Sequence, residues 1–254
     1  MMIDTHCHLY LSEFYEDILE VINRAVKEGV TKFYLPSIDS LSLDSMLQLQ
    51  VKFPDKCFSM MGLHPCSVKE NFREELKIVQ DWLSKRKFAA VGEIGLDFYW
   101  DRTFDQQQYD AFHEQVEWAL HYDLPIVIHS RDSTTECINI VHQHQKGTLK
   151  GIFHCFGSDY DSALKIIDLG FYLGIGGVIT YKNSGLAAVL EKIPLENIVL
   201  ETDAPYLSPV PFRGKRNESS YLKYIITKLA LVKGVSYEEV AAITTSNAEK
   251  IFGS

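Results

Sequence analysis

Seven side chains able to hold a divalent metal recur along this sequence at comparable places. His6 and His8 alternate with Asp4 inside "MIDTHCHL", and an extended strand turns alternate side chains to one face, so these three can converge on one point. His64 in "GLHP", Glu93 in "GEIGLD", His129 in "PIVIHSRD", His154 in "FHCF" and Asp203 in "LETDAP" each follow an apolar run. Neutral imidazoles combined with carboxylates suit zinc, manganese, iron or cobalt better than magnesium or calcium, which prefer all-oxygen shells. With Glu93 available to bridge, the set is large enough for two ions roughly 3.5 to 4 Å apart. Such a pair would trap a water or hydroxide, bring its pKa towards neutrality and aim it at an electrophilic centre. Asp203 would take the nucleophile's proton, and His64 would donate to a non-bridging oxygen or to the leaving group.

The elements that must position these groups follow a regular rhythm. Strands are expected near Met2 to Thr5 and at "KFYLPS", "CFSMMGLHP", "FAAVGEIGLD", "LPIVIHS", "GIFHCF", "GFYLGIG" and "NIVLETDAP". Amphipathic helical patterns such as "DILEVINRAVKEG", "REELKIVQDWLSKR" and "TFDQQQYDAFHEQVEWALHYD" separate them, the first closing on Gly29 as a C-cap would. Eight apolar strands alternating with helices read as a parallel sheet closed into a (β/α)8 TIM barrel, an α/β fold in one domain over residues 1–254. The last helical pattern, "SYEEVAAITTSNAEKIF", is expected to pack over the barrel wall. On that scaffold the seven donors fall at the C-terminal ends of six strands, the face that carries barrel active sites.

Alternation within each strand points the same way. Val91 with Glu93, Val127 with His129, Ile152 with His154, and Val199 with Glu201 and Asp203 share faces, which places the polar member of each row at the top of the barrel interior. Burying so many charged and imidazole groups is costly unless they share a partner, and a divalent cation is one. A single histidine at a strand end is more often a hydrogen-bonded structural residue, so the joint placement carries the inference. His113, His121, His142 and His144 fall in helical patterns and are read as surface or packing residues. Cys7 and Cys155 point away from the ligands by alternation and are read as buried thiols, while Cys66 lies in a loop near the site.

Composition sets the bounds. The 254 residues carry a net charge of −9, so long-range attraction to nucleic acid or to an anionic membrane is not expected. Only three apolar residues precede Asp4, which leaves no signal-peptide core, and no apolar run reaches membrane-spanning length. Five cysteines without a C-x-x-C pair fit a reducing cytoplasm, and no obligate protein partner is indicated.

"DTHCHL", "GLHP", "GEIGLD", "PIVIHSRD", "FHCF", "LETDAPYLSP" and "RGKRNE" together resemble the TatD family of metal-dependent deoxyribonucleases, within the wider amidohydrolase-like superfamily. The resemblance runs from residue 2 to the last helix. It implies a (β/α)8 fold, two divalent metals and phosphodiester hydrolysis on DNA. It also implies that His6, His8 and Asp203 hold one ion, that His129 and His154 hold the other, and that Glu93 bridges them. Many family members continue the basic loop as Asn-Glu-Pro, whereas Asn217 and Glu218 here precede Ser219. Small-molecule hydrolases on related barrels often bridge their ions with a carbamylated lysine. Lys32, Lys56, Lys87 and Lys150 fall at strand beginnings, which leaves Glu93 in that role.

The substrate must find positive charge near the centre. Arg213, Lys215 and Arg216 form a local anion trap beyond Asp203, unless they are simply a solvated run. Arg131 is a second phosphate clamp, or else a surface partner of Asp132 or Glu136. Glu201 and Asp4 are read as supports that orient ligands. Few cations in an acidic protein cannot grip long duplex DNA, so single-stranded ends are the expected partner, digested from the 3′ end as the resemblance suggests. Tyr99, Trp100, Phe156 and Tyr206 are available to stack bases, although "DFYW" can equally seal a core. The alternatives are a binuclear hydrolase of a small ester, lactone or amide, and a barrel that binds metal and a partner without turnover.

Overall fold

Short runs rich in Val, Ile, Leu and Phe form all eight strands because each is covered on both faces. A computed structural model describes residues 1–253. Its strands are β1 (Met2–Asp4), β2 (Val30–Leu35), β3 (Cys57–Ser59), β4 (Val91–Asp97), β5 (Ile126–Arg131), β6 (Gly151–Phe153), β7 (Phe171–Ile175) and β8 (Ile198–Leu200). The helices between them are α1 (Ile18–Lys27), α2 (Ser40–Lys52), α3 (Phe72–Lys85), α4 (Asp105–Tyr122), α5 (Thr134–His144), α6 (Tyr160–Asp168) and α7 (Leu186–Lys192), with α8 (Leu222–Lys233) and α9 (Tyr237–Phe252) after the last strand. Gly29 sits just past α1 at φ +93°, a conformation that a side chain resists, and so ends that helix as expected.

Parallel ladders run β1-β2-β3 and β4-β5-β6-β7-β8. A bridge between Met61 and Val91 joins β3 to β4. The Thr5 N–H donates to the Leu200 carbonyl at 3.0 Å and joins β8 to β1, closing a (β/α)8 barrel.

Two apolar layers follow from the alternation of the strands. Phe33, Leu35, Ile94, Leu96, Ile128 and Leu173 face outward into the helices. Ile3, Tyr34, Met60, Ala90, Val127, Ile152 and Val199 fill the barrel interior. Val91 belongs to the outer layer, which corrects the expectation that it shares a face with Glu93. The β4–β5 register slips between Val91 and Ile94, and the extra residue inverts the alternation just before Glu93. Nor does α9 simply lie along the wall. Its Ala248 and Ile251 join the interior cluster, and Phe252 stacks on Tyr34 at 3.7 Å, so its C-terminal end plugs the mouth opposite the donors.

Asn247 fixes that plug by donating to the carbonyls of Leu195 and Ile198, both at 2.8 Å. Asn247→Ala leaves two buried carbonyls unpaired, and we expect it to destabilise the fold by about 1–3 kcal/mol. Urea unfolding measures this, and turnover by the folded fraction should stay at the wild-type level.

Candidate metal centre

Beyond the strand ends the chain turns sharply, and those turns aim the donors. His6 and His8 lie just past β1, His64 past β3, His154 one residue past β6 and Asp203 three past β8. Glu93 and His129 are the exceptions: Glu93 sits third in β4, which continues to Asp97, and His129 fourth in β5, which continues to Arg131, so neither is the strand-end residue expected. Asp203 holds φ +55°, a left-handed conformation that Asp tolerates better than most residues, and its N–H donates to the His6 carbonyl at 2.9 Å.

All six expected ligands and His64 meet in one place. Glu93 Oε2 lies 3.1 Å from His6 Nε2 and 3.6 Å from His8 Nε2. Its Oε1 lies 2.7 Å from His154 Nε2, 2.8 Å from His129 Nδ1 and 3.3 Å from His64 Nε2. Asp203 Oδ1 approaches His8 and His6 at 3.5 and 3.7 Å. Three triads have ligand atoms close enough to hold an ion: His6–His8–Asp203, His6–Glu93–His154 and His64–Glu93–His129.

The donor set fits a metal better than it fits itself. His6 Nε2 faces His8 Nε2 at 3.3 Å, and His154 Nε2 faces His129 Nδ1 at 3.4 Å. Three ring nitrogens crowd Glu93 Oε1, which offers lone pairs for two. Hydrogen bonds alone leave some of these atoms opposed, whereas a shared cation accepts every lone pair at once.

Charge balance is equally tight. Burial pushes the Glu93 carboxyl up, but the charges of His154, His64 and His6 and the hydrogen bond from His129 hold it well below the usual carboxylate range. Burial likewise opposes ionisation of Asp203, yet the His8 hydrogen bond and the His6 and His154 charges hold it low. Burial, then the neighbouring His154, lowers the His6 imidazole.

His8 and His129 are oriented from behind by hydrogen bonds, whereas the Nδ1 atoms of His6 and His154 have no hydrogen-bond partner among the described residues. Tyr10 gives its hydroxyl proton to the Pro36 carbonyl at 2.5 Å, so its oxygen accepts from His8 Nδ1 at 2.9 Å and leaves the Nε2 lone pair facing the centre. Asp97 Oδ2 lies 2.8 Å from His129 Nε2 and leaves Nδ1 for the centre. Glu201 Oε1 lies 3.4 Å from His154 Nδ1 and accepts the Cys155 N–H at 2.6 Å. Gly174 makes room for Glu201, because a Cβ there would meet its Oε2 at 2.3 Å. His64 differs, since its Nδ1 accepts the Cys66 N–H at 3.0 Å, so the neutral ring carries its proton on Nε2.

Tyr10 and Asp97 escaped the sequence reading, although alternation from His8 and Glu93 pointed to both. Asp4 does not join the convergence: its carboxylate accepts from the Thr202 N–H at 3.0 Å and hydroxyl at 2.6 Å, pinning β1 to the end of β8. Burial pushes its pKa up to about 7, against the hydrogen bonds from Ser219 and Thr202. Cys7 is fully buried, with its thiol towards the Tyr34 carbonyl. Cys155 is only half-buried, and at φ +48° past β6 the alternation rule does not reach it.

The cations expected to bind substrate part company. Arg216 is occupied: both its terminal nitrogens reach Asp17, at 2.8 and 2.7 Å, and its guanidinium covers Phe14. This corrects its place in the anion trap, because it fastens the β8–α8 loop to the start of α1. Asn217 and Glu218 are structural in the same way, Asn217 donating to the Thr202 and Tyr206 carbonyls and Glu218 pairing with Arg24 at 2.6 Å. Lys215 is exposed. Arg213 lies 4.0 Å over Tyr181 and lines a cleft of about 450 Å³ with Lys182, Asn183, Ser184 and Val210. Arg131 is exposed and, among the described residues, pairs with neither Asp132 nor Glu136. Phe156 is buried and has no face free for a base.

A (β/α)8 barrel with histidines and carboxylates gathered at the C-terminal ends of its strands defines a metal-dependent hydrolase. Residues 3–253 match the family model described as TatD related DNase, and the chain belongs to that family. Bacillus subtilis YabD, described as a metal-dependent hydrolase, is 35% identical over 99% of both chains. The Citrobacter rodentium protein named 3′-5′ ssDNA/RNA exonuclease TatD is 31% identical, covering 99% of this chain and 98% of its own. The crystal structure of the TatD homologue YjjV from Escherichia coli superposes with a TM-score of 0.94 at 30% identity, over 100% of this chain and 98% of that one. Among the described residues no helix is long and apolar enough to cross a membrane.

Because Asp97 touches His129 from behind, Asp97→Asn should lower divalent-metal affinity about 10- to 100-fold. Titration of metal-stripped protein with zinc or manganese measures it, and an unchanged affinity would remove Asp97 from the support of the centre.

Proposed function

We propose that the protein hydrolyses phosphodiester bonds of single-stranded DNA from the 3′ end with two divalent ions, acting as one catalytic domain. One observation carries this reading: the two oxygens of Glu93 face two different histidine groups, His6 with His8 on one side and His129, His154 and His64 on the other. His6, His8 and Asp203 would hold the first ion and His129 and His154 the second, with Glu93 shared. Ions held there supply Lewis acidity, which activates water for attack on phosphorus and neutralises phosphoryl charge.

The remaining steps belong to side chains. Asp203, kept ionised by its histidine neighbours, accepts the attacking water's proton. His64 presents an Nε2 proton to a non-bridging oxygen or to the leaving oxygen. Arg131, at the end of β5, and Arg213 and Lys215, in the loop after β8, would meet flanking phosphates. So few free cations on a chain of net charge −9 suit a strand end rather than a long duplex. The name of the Citrobacter rodentium relative supports the same substrate. All five cysteines are unpaired, which fits a reducing cytoplasm.

End-labelled single-stranded DNA incubated with metal-stripped protein, resupplied separately with magnesium, manganese, cobalt and zinc, tests the reading. We expect loss of 3′ label only with metal and only in the wild type, Glu93→Ala being inactive. Intact DNA with every ion, from protein that still binds two ions per chain, would redirect the assignment to a small-molecule ester, lactone or amide. Arg213→Ala should raise KM for DNA several-fold. Arg216→Ala should leave KM nearly unchanged and instead cost about 1 kcal/mol or less of stability, measured by urea unfolding.

A further inference from the structure

Three consecutive aromatics leave β4, and they go to different places. Phe98 packs against the core beneath the Arg102 guanidinium, 4.4 Å away. Tyr99 and Trp100 stand in solvent, 53% and 68% exposed, so they do not seal a core. The backbone beneath them is nevertheless held firmly. Asp97 Oδ1 accepts the N–H groups of both Tyr99 and Trp100 at 3.0 Å. Asp101 Oδ1 accepts the Thr103 N–H at 2.9 Å, and its Oδ2 pairs with Lys69 at 2.7 Å. A loop pinned at both ends thus presents two large rings to water.

Arg131 completes the surface. Its guanidinium stacks 4.0 Å from the centre of Tyr99 and 5.5 Å from Trp100, and the two rings meet edge to face at 4.9 Å. The group is tied to the metal centre twice over. The second oxygen of Asp97 lies 2.8 Å from His129, and Arg131 is two residues beyond His129, opposite Asp97 in the β4–β5 ladder.

We propose that Tyr99, Trp100 and Arg131 form a stacking platform for one unpaired nucleobase beside the scissile phosphate, held in register with the reacting centre by Asp97. The proposal rests on the nuclease reading and adds to it how a strand end is gripped. Every base has a π-face, so such a platform is tolerant of sequence, and the guanidinium adds positive charge for the adjoining phosphate. Bases inside a duplex are already stacked and offer no free face, which favours strand ends. Two rings and one guanidinium are also far smaller than the patch of about 800 Å² per partner that a stable protein interface needs.

The probes are a thymidine oligonucleotide and its counterpart carrying tetrahydrofuran abasic sites at the 3′ end. Tyr99→Ala with Trp100→Ala should raise KM for the thymidine strand about tenfold, leave kcat within about twofold and leave the abasic strand's KM unchanged. Both rings are exposed, so thermal unfolding should match the wild type. Trp100→Phe, which keeps an aromatic face, should restore KM to within a few-fold. Independently of turnover, thymidine 5′-monophosphate should quench the emission of Trp100 and deoxyribose 5-phosphate should not. Trp100→Phe should abolish that quenching while the more buried Trp82 and Trp118 still emit. An unaltered KM in the double variant, equal effects on both strands, or a dimer that dissociates on Trp100→Ala would each overturn the platform. If no strand is cut with any metal while nucleotide-selective quenching persists, the nuclease reading falls and the base platform stands.

Discussion

One buried carboxylate facing five imidazoles is the constraint on which the rest of this structure depends. Glu93 is 1% exposed, and three ring nitrogens crowd its Oε1, which offers lone pairs for two. The barrel meets that demand by distributing the histidines over the ends of four strands, so that no single element bears the strain of crowding them. The register slip in β4 turns Glu93 inward, the left-handed turn at Asp203 returns the chain over His6, and the missing side chain at Gly174 admits Glu201. These are local departures from ideal strand geometry, and each serves the same small volume.

A second set of contacts holds the top of the barrel closed where its hydrogen-bonded seam is thinnest. Asp4 reaches Thr202, Arg216 reaches Asp17 and Arg24 reaches Glu218, so the first and last loops are laced together across nearly 200 residues of sequence. That lacing reinforces the main-chain bonds, from Thr5 to Leu200 and from Asp203 to His6, that set His6 and His8 on the first loop against Asp203 on the last.

Much of this was legible from residues alone. The eight strands stood out because burial on both faces makes them short apolar runs, and the donors stood out because a histidine or carboxylate ending such a run has no ordinary reason to be there. What escaped depends on information that alternation does not hold. Val91 and Glu93 parted because one extra residue in β4 inverts every face beyond it. Arg216 read as a free cation because its partner Asp17 is distant in sequence. The period of α9 announced a buried face, but not that this face would plug the end of the barrel. Tyr10 and Asp97 were visible in the spacing, yet hydrogen-bond direction, which makes them orienters of His8 and His129, appears only in three dimensions.

Asp97 grips the following turn through main-chain amides, not through side chains. Every residue except proline supplies that amide, so positions 99 and 100 can change their chemistry while the support behind His129 stays as it is. The architecture therefore separates what must be invariant for reactivity from what is open to drift. A barrel of this design can acquire new preferences at its rim, one surface residue at a time, with its reactive core insulated from the change.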